Sequence, residues 1–119
     1  MATVNVSVSY VNDGVVNRPR STAVWEGIAT GDTIGSLTVA GQSAVASAVQ
    51  ISGTFGGATV AMECSNDGVT WFTMIDSVGD PISATADAFH EISSSALYIR
   101  PAISGGTGDD IDVILVLRG

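Results

Sequence analysis

Residues 60–75 of this chain read VAMECSNDGVTWFTMI, and they predict a β-hairpin. The first strand of that hairpin places three apolar side chains on one face, those of Val60, Met62 and Cys64. Ser65–Gly68 then turns the chain, because Asn and Asp hydrogen-bond the local backbone and glycine adopts the left-handed conformation that closes such loops. In the returning strand the adjacent Trp71 and Phe72 point to opposite faces, so one core can bury only one of them.

The same two-residue periodicity recurs along most of the chain. It begins with a strand whose alternate positions are Val4, Val6, Val8 and Tyr10. Glycine-marked turns separate further predicted strands over residues 22–28, 33–39, 45–52, 59–64, 69–75, 88–92, 96–103 and 111–118. A helical turn within Ala40–Val49 is the weaker alternative, because glycine, serine and valine disfavour a helix there. The pattern predicts an all-β chain that folds over residues 1–119 as a single-domain antiparallel β-sandwich, jelly-roll-like in arrangement.

A polar stretch over residues 12–21 interrupts this pattern. Asp13 and Gly14 favour a turn, and Pro19 lacks the amide donor that an interior strand needs. We therefore expect a loop or arm over residues 12–21. In this interpretation residues 1–20 form an N-terminal strand and an extended arm.

Charged residues are few, and most of them are acidic. The chain has four Arg, no Lys and twelve Asp and Glu, which gives a net charge of −8. Nucleic-acid binding needs a basic patch, and four scattered arginines cannot form one among twelve carboxylates. The 119 residues and 12.0 kDa are enough for one domain. The composition therefore predicts a single domain with no nucleic-acid partner.

Apolar runs are short throughout the chain. None approaches the roughly 20 residues that span a bilayer, and the first residues lack the basic head and apolar core of a signal peptide. We therefore expect no membrane partner, and folding in the compartment where the chain is made. The single cysteine, Cys64, forms no internal disulfide, and with one histidine the chain offers too few ligands for a zinc cluster. We expect Cys64 to be a small buried apolar residue.

Two predicted strands are apolar on both faces, at residues 97–99 and 113–117. Strands of this kind are normally covered on both sides, and a chain of this size without a predicted helix has little to cover the second side. Lysine, a common protector of exposed sheet edges, is absent as well. We therefore expect a homo-oligomer, or an arm that crosses over the sheet.

No pattern of residues indicates catalysis, so we expect no enzyme activity, no metal and no cofactor. His90 is the only histidine and is interpreted as an ordinary strand residue. Asp109, Asp110 and Asp112 could contribute to a calcium site, but an acidic strand entrance exposed to solvent is favoured because the cluster supplies too few ligands. Gly105–Gly108 lacks the lysine and helix of a phosphate loop.

Aromatic side chains provide the second functional hypothesis. The candidates for a sugar-stacking platform are Tyr10, Trp25, Trp71, Phe72 and Tyr98. In a small β domain such residues more often belong to the core or an interface, and that interpretation is favoured.

Several short segments resemble a group of small structural proteins from tailed bacteriophages. They are Thr54–Val60, Ser65–Trp71, Tyr98–Pro101 and Ser104–Gly106. The resemblance covers residues 45–118 and leaves the first 44 residues outside it. The Ser-Asn-Asp-Gly turn before a tryptophan also occurs in discoidin-like sugar-binding sandwiches, so this turn alone does not separate the two groups.

Phage proteins of this group fold as small β-sandwiches, commonly form trimers, and decorate or cement the head outside the major capsid protein lattice. The resemblance therefore implies a virion structural protein on the capsid exterior, assembled in the host cytoplasm, without an active site. Its implied partners are the major capsid protein and further copies of the chain. A carbohydrate-binding β-sandwich module of a tail fibre or baseplate accessory protein stays open as the alternative.

Interface candidates come from the N-terminal segment and from two aromatic positions. They are Val4, Val6, Val8, Tyr10, Arg18, Arg20, Phe72 and Tyr98. Arg18 and Arg20 lie on the predicted arm, which we expect to contact the capsid or a neighbouring subunit.

Overall fold

The computed structural model describes residues 2–12, 19–39 and 45–118, and these residues form twelve β-strands. The strands are β1 Thr3–Val4, β2 Ser7–Asn12, β3 Pro19–Ile28, β4 Thr33–Ile34, β5 Leu37–Thr38, β6 Val45–Thr54, β7 Thr59–Ser65, β8 Phe72–Thr73, β9 Ser83–Ala84, β10 Ala88–Glu91, β11 Tyr98–Ser104 and β12 Asp110–Arg118. The described residues contain no helix.

Two antiparallel sheets account for ten of these strands. The first sheet has the order β10-β6-β12-β3-β2, with the nine-residue β12 at its centre. The second sheet has the order β5-β11-β7-β8, and β9 pairs with β7 beside β8. A short parallel pair joins β1 to β4. The predicted all-β, single-domain antiparallel sandwich is confirmed.

The core lies between the sheets and is built by alternation. Along β12 every second side chain from Ile111 to Leu117 is buried. Trp25 is the largest fully buried side chain, and its indole Nε1 donates a hydrogen bond of 2.7 Å to the Gly35 carbonyl oxygen. That bond satisfies the polar atom that burial of a tryptophan would otherwise leave unpaired.

The predicted hairpin forms, but its second strand is shorter than expected. Residues 63–64 pair with residues 72–73, while residues 66–71 form the connecting loop. The carboxylate of Asp67 accepts hydrogen bonds from the amides of Val69 and Thr70, at 2.8 and 2.9 Å. These bonds hold the pKa of Asp67 below its usual value and keep both amides out of the sheet ladder.

The core contains neither aromatic residue of that hairpin. Phe72 is 65% exposed, and Trp71 is half-buried on the side of the second sheet that faces away from the core. The sequence allowed the core to bury at most one of the two, and the core buries neither. Trp25 on β3 occupies the core instead, because β3 lies inside the first sheet between β12 and β2.

Segment boundaries differ from the prediction at three places. The single strand expected over residues 4–10 is split, because β1 leaves the first sheet and pairs with β4. The strand expected over residues 33–39 is split between β4 and β5. The loop expected over residues 12–21 is wrong at both ends, since Asn12 and Pro19 face each other in the β2–β3 pairing.

The helical alternative within residues 40–49 is wrong over residues 45–49, which belong to β6. Residues 40–44 lie outside the described part of the chain, as do residues 13–18 of the predicted arm.

Candidate functional site

Two rows of side chains cross the first sheet on the side that faces away from the core. Residues directly opposite each other in paired strands point to the same side. The pairing register therefore assigns the first row to Phe89, Gln50, Ile114, Val24 and Ser7. It assigns the second row to Glu91, Ala48, Val116, Thr22 and Ser9. We call these ten residues the outer face.

The outer face is apolar at its centre, and charged residues flank it on β12, where Asp112 precedes Ile114 and Arg118 follows Val116 on the same side of the strand. Glu91, on the short strand β10, is the one charged residue among the ten. Val24, Ile114 and Val116 are each half-buried, although residues 111, 113, 115 and 117 on the opposite side of β12 are fully buried. Phe89 is 66% exposed at the end of its row. Exposed apolar patches of this kind mark interaction sites in soluble proteins.

The described residues of this chain cover β12 on the core side only. Within the described residues, no strand packs over Ile114 and Val116 closely enough to bury them. Their remaining exposed area is what a partner molecule would cover.

The second sheet carries a different surface on its own side away from the core. The guanidinium of Arg100 lies 4.0 Å from the centre of the Trp71 ring, and its Nε donates a 3.0 Å hydrogen bond to Glu63 Oε1. Tyr98 lies two residues before Arg100 on β11, on the same side of the strand. Arg100 therefore occupies one face of the Trp71 ring, which leaves less of that ring for stacking on a ligand.

The predicted interface residues do not gather into one surface. Val4 and Val6 are half-buried and pack against the core. Val8 is 39% exposed on the edge strand β2, Phe72 is exposed on β8, and Tyr98 is half-buried on β11. Arg18 lies outside the described residues, and so do the side chains of Tyr10 and Arg20.

The outer face was visible in the sequence only in part. Ile114 and Val116 belong to the strand that is apolar on both faces, and this signal points to them directly. Val24, Ala48 and Phe89 carry no such signal, because their neighbourhood depends on strand order and register. The alternation of residues within one strand reports neither the strand order nor the register.

The acidic residues after the glycine-rich turn bind protein groups. Asp109 is buried, and its Oδ2 accepts hydrogen bonds from Thr30 Oγ1 at 2.7 Å and from the Thr30 amide at 2.9 Å. These bonds, led by the hydroxyl, lower the pKa of Asp109. Asp112 accepts a 2.8 Å bond from the Gly27 amide. A solvent-exposed acidic cluster is therefore the wrong description of Asp109, although Asp110 and Asp112 are exposed.

His90 lies on β10 and contacts a structural turn that begins at Asp76. Its Nδ1 lies 3.5 Å from Asp76 Oδ2. The same aspartate accepts hydrogen bonds from the amides of Asp80 and Val78, which lower its pKa and order the turn. His90 Nε2 is buried without a hydrogen-bond partner among the described residues.

Cys64 is half-buried at the end of β7, where it packs against the core. Burial raises the pKa of its thiol, and the neighbouring Glu63 carboxylate raises it further. The thiolate is the reactive form, so this environment lowers reactivity at neutral pH. Cys64 accordingly has the character of a core residue rather than a nucleophile.

Over residues 2–12, 19–39 and 45–118, no three His, Cys, Asp or Glu side chains are grouped so that they could hold a metal ion. The same residues include no helix with the length and apolar character needed to cross a membrane. No family model, curated protein or solved structure matches the chain.

Proposed function

We propose that the chain is a structural protein of a tailed-bacteriophage virion, a capsid decoration or cement protein that binds the outside of the major capsid protein lattice and stabilises the head. The resemblance over residues 45–118 suggests the class of protein. The observation that carries the proposal is the outer face, ten neighbouring positions of the first sheet that carry one charge. In this proposal the protein is not an enzyme and needs no cofactor.

The outer face suits contact with another protein. Its central apolar side chains lie on three adjacent long strands, which hold them in one plane without loops between them. Complete burial of an exposed Phe or Ile side chain contributes roughly 1.5–3 kcal/mol. Covering Phe89, which is 66% exposed, would contribute much of that amount, whereas the half-buried Ile114 would contribute less.

Net charge supports a position outside the head. At −8, the chain is repelled by the packaged genome, and its basic residues are too few to overcome that repulsion. A protein that binds the outer surface of the lattice meets no such repulsion from nucleic acid.

Binding to heads tests the proposal. Expanded, undecorated heads of the phage that carries this gene are mixed with the protein, and the bound fraction is measured after sedimentation. Phe89→Arg and Gln50→Arg introduce a buried charge into the proposed contact, so each should reduce binding at least tenfold. Thr73→Arg, at an exposed position on the second sheet, is the matched control and should bind like the wild type. Equal binding by all three variants would refute the role of the outer face.

The alternative function, a carbohydrate-binding module of a tail fibre or baseplate accessory protein, is favoured by one observation. Trp71, Arg100 and Glu63 form a half-buried cluster on the second sheet, and side chains of these types recognise sugars by stacking and by hydrogen bonds to hydroxyl groups. A glycan array distinguishes the two functions. Under the alternative, Trp71→Ala loses glycan binding while Phe89→Arg retains it, and heads are not bound.

A further inference from the structure

The edge strands of the two sheets differ in length and in whether a neighbouring segment covers their free side. The second sheet ends in two-residue strands, β5 on one side and β8 with β9 on the other. The first sheet ends in β10 and β2. β10 has four residues, and a neighbouring segment covers its free side, where the Ser77 amide donates to the Glu91 carbonyl and the Ser93 amide to the Ile75 carbonyl.

β2 is different from the other three edges. It has six residues, and all six pair with β3 on one side. No described strand pairs with its other side. A row of backbone amides and carbonyls on that side is therefore available to a further strand.

The sequence of β2 lacks the features that protect natural edges. Ser7–Asn12 reads SVSYVN, without a charged residue, a proline or a glycine that could form a bulge. Charges and prolines are the usual means of preventing edge-to-edge pairing. In a chain with a net charge of −8, an uncharged edge is also the place where a second copy meets least repulsion.

We propose that two copies of the chain pair antiparallel through β2, so that two five-stranded sheets join into one sheet of ten strands. The pairing is isologous: the same edge contributes from each copy, and a two-fold axis passes through the middle of the strand pair. This two-fold axis is perpendicular to the joined sheet. A two-fold axis that runs along the strand direction would instead relate two β2 strands that point the same way.

This symmetry fixes which side chains meet. A perpendicular two-fold axis keeps the outer face of each copy on the same side of the joined sheet. Residues that face each other across the seam must then both be odd-numbered or both even-numbered in β2. Ser7 and Ser9, which end the two rows of the outer face, therefore meet odd-numbered positions of the other copy. No charge enters the seam from β2 itself.

The dimer is independent of the proposed virion function, but it would double the surface available to a partner. The joined sheet places two outer faces side by side on one surface. It also differs from the trimer that the resemblance implies, because a two-fold contact through one edge joins copies in pairs.

Light scattering during size exclusion, together with hydrogen exchange, tests the proposal on the full chain. We expect the mass to rise toward twice 12.0 kDa with increasing concentration. The amides of residues 7–12 should become protected from exchange over the same concentration range. Ser9→Lys, which places a lysine of each copy in the seam, should remain monomeric.

Gln50→Lys is the matched control: it adds the same charge to the same outer face, but on the interior strand β6. It should dimerise like the wild type, and circular dichroism should show that both variants are folded. A monomer at every concentration, a trimer, equal behaviour of the two variants, or a dimer whose residues 7–12 exchange freely would each overturn the proposal.

Discussion

Thr30 and Asp109, which are 79 residues apart in the chain, are joined by two hydrogen bonds to one carboxylate oxygen. The Thr30 hydroxyl also accepts a 2.9 Å bond from the Gly106 amide. These contacts connect the loop after β3 to the loop before β12 at one end of the sandwich. An acidic residue that reads as a surface charge in the sequence is thus a structural link between distant loops.

Asp109→Asn should lower the midpoint of urea unfolding. The amide keeps the size of the carboxylate but loses the negative charge that strengthens both bonds from Thr30. Asp110→Asn, at the exposed neighbouring position, should have a smaller effect. If the two variants unfold at the same urea concentration, Asp109 does not stabilise this end of the sandwich.

Stability should fall on acidification below pH 4. Hydrogen bonds hold the pKa of Asp67, Asp76 and Asp109 below 3.8, so each carboxylate binds protons less readily in the folded chain than in the unfolded chain. Their contribution to stability is complete above the pKa that these groups have in the unfolded chain. It is lost as the pH falls through the pKa values that they have in the folded chain. The free energy of unfolding, measured by urea titration between pH 2 and pH 7, should decline at the acid end.

The steepness with which the free energy of unfolding declines at low pH shows which carboxyl groups cause the decline. In a variant that carries Asn at positions 67, 76 and 109, the acid-induced loss should be smaller than in the wild type, because these three sites no longer titrate. An unchanged slope would show that other carboxyl groups cause the loss.

Gly56→Ala should be more destabilising than Gly108→Ala. Both glycines have positive φ, +57° and +66°, so each alanine costs about 1–2 kcal/mol in backbone strain. At position 56 the added methyl group would also overlap the carbonyl oxygen of Thr107, whereas nothing lies within 4 Å at position 108. Overpacking of this kind adds about 1–3 kcal/mol. Equal unfolding free energies for the two variants would contradict the close approach of the two loops.

Trp25→Phe should destabilise the chain by about 1–3 kcal/mol, because it leaves the Gly35 carbonyl without its buried donor. Trp71→Phe is the control variant for this stability measurement, because the Trp71 indole lies partly exposed on the second sheet. The fluorescence of the Trp71→Phe protein, which reports Trp25 alone, should resist quenching by acrylamide. Ready quenching would mean that Trp25 is not enclosed in the core.

The sequence predicts the strands better than it predicts their lengths. Alternation in β7 correctly assigns its buried side, because β7 lies inside a sheet with one side on the core. In β12 both sides are apolar, so the pattern predicts the strand but not the side that is buried. Alternation fails at residues 69–71, where the Asp67 side chain competes with the ladder for two amides. Such local competition depends on side-chain geometry, which a hydrophobic pattern does not report.

The candidate surface is less predictable than the fold. Ile114 stands out in the sequence, whereas Phe89 and Val24 become its neighbours only through pairing with β6 and β3. The interface candidates chosen from the sequence are spread over both sheets and the segment that includes β1, and Arg18 lies outside the described residues.

The sequence by itself determined the all-β class, the side of β7 that faces the core, and the low charge of the chain, because these follow from local alternation and composition. Only the tertiary structure decided which tryptophan is buried, which acids join loops, and which apolar residues share a surface. Those properties depend on contacts between residues far apart in the chain, such as Val24 and Ile114, whose alignment is fixed by strand order and register.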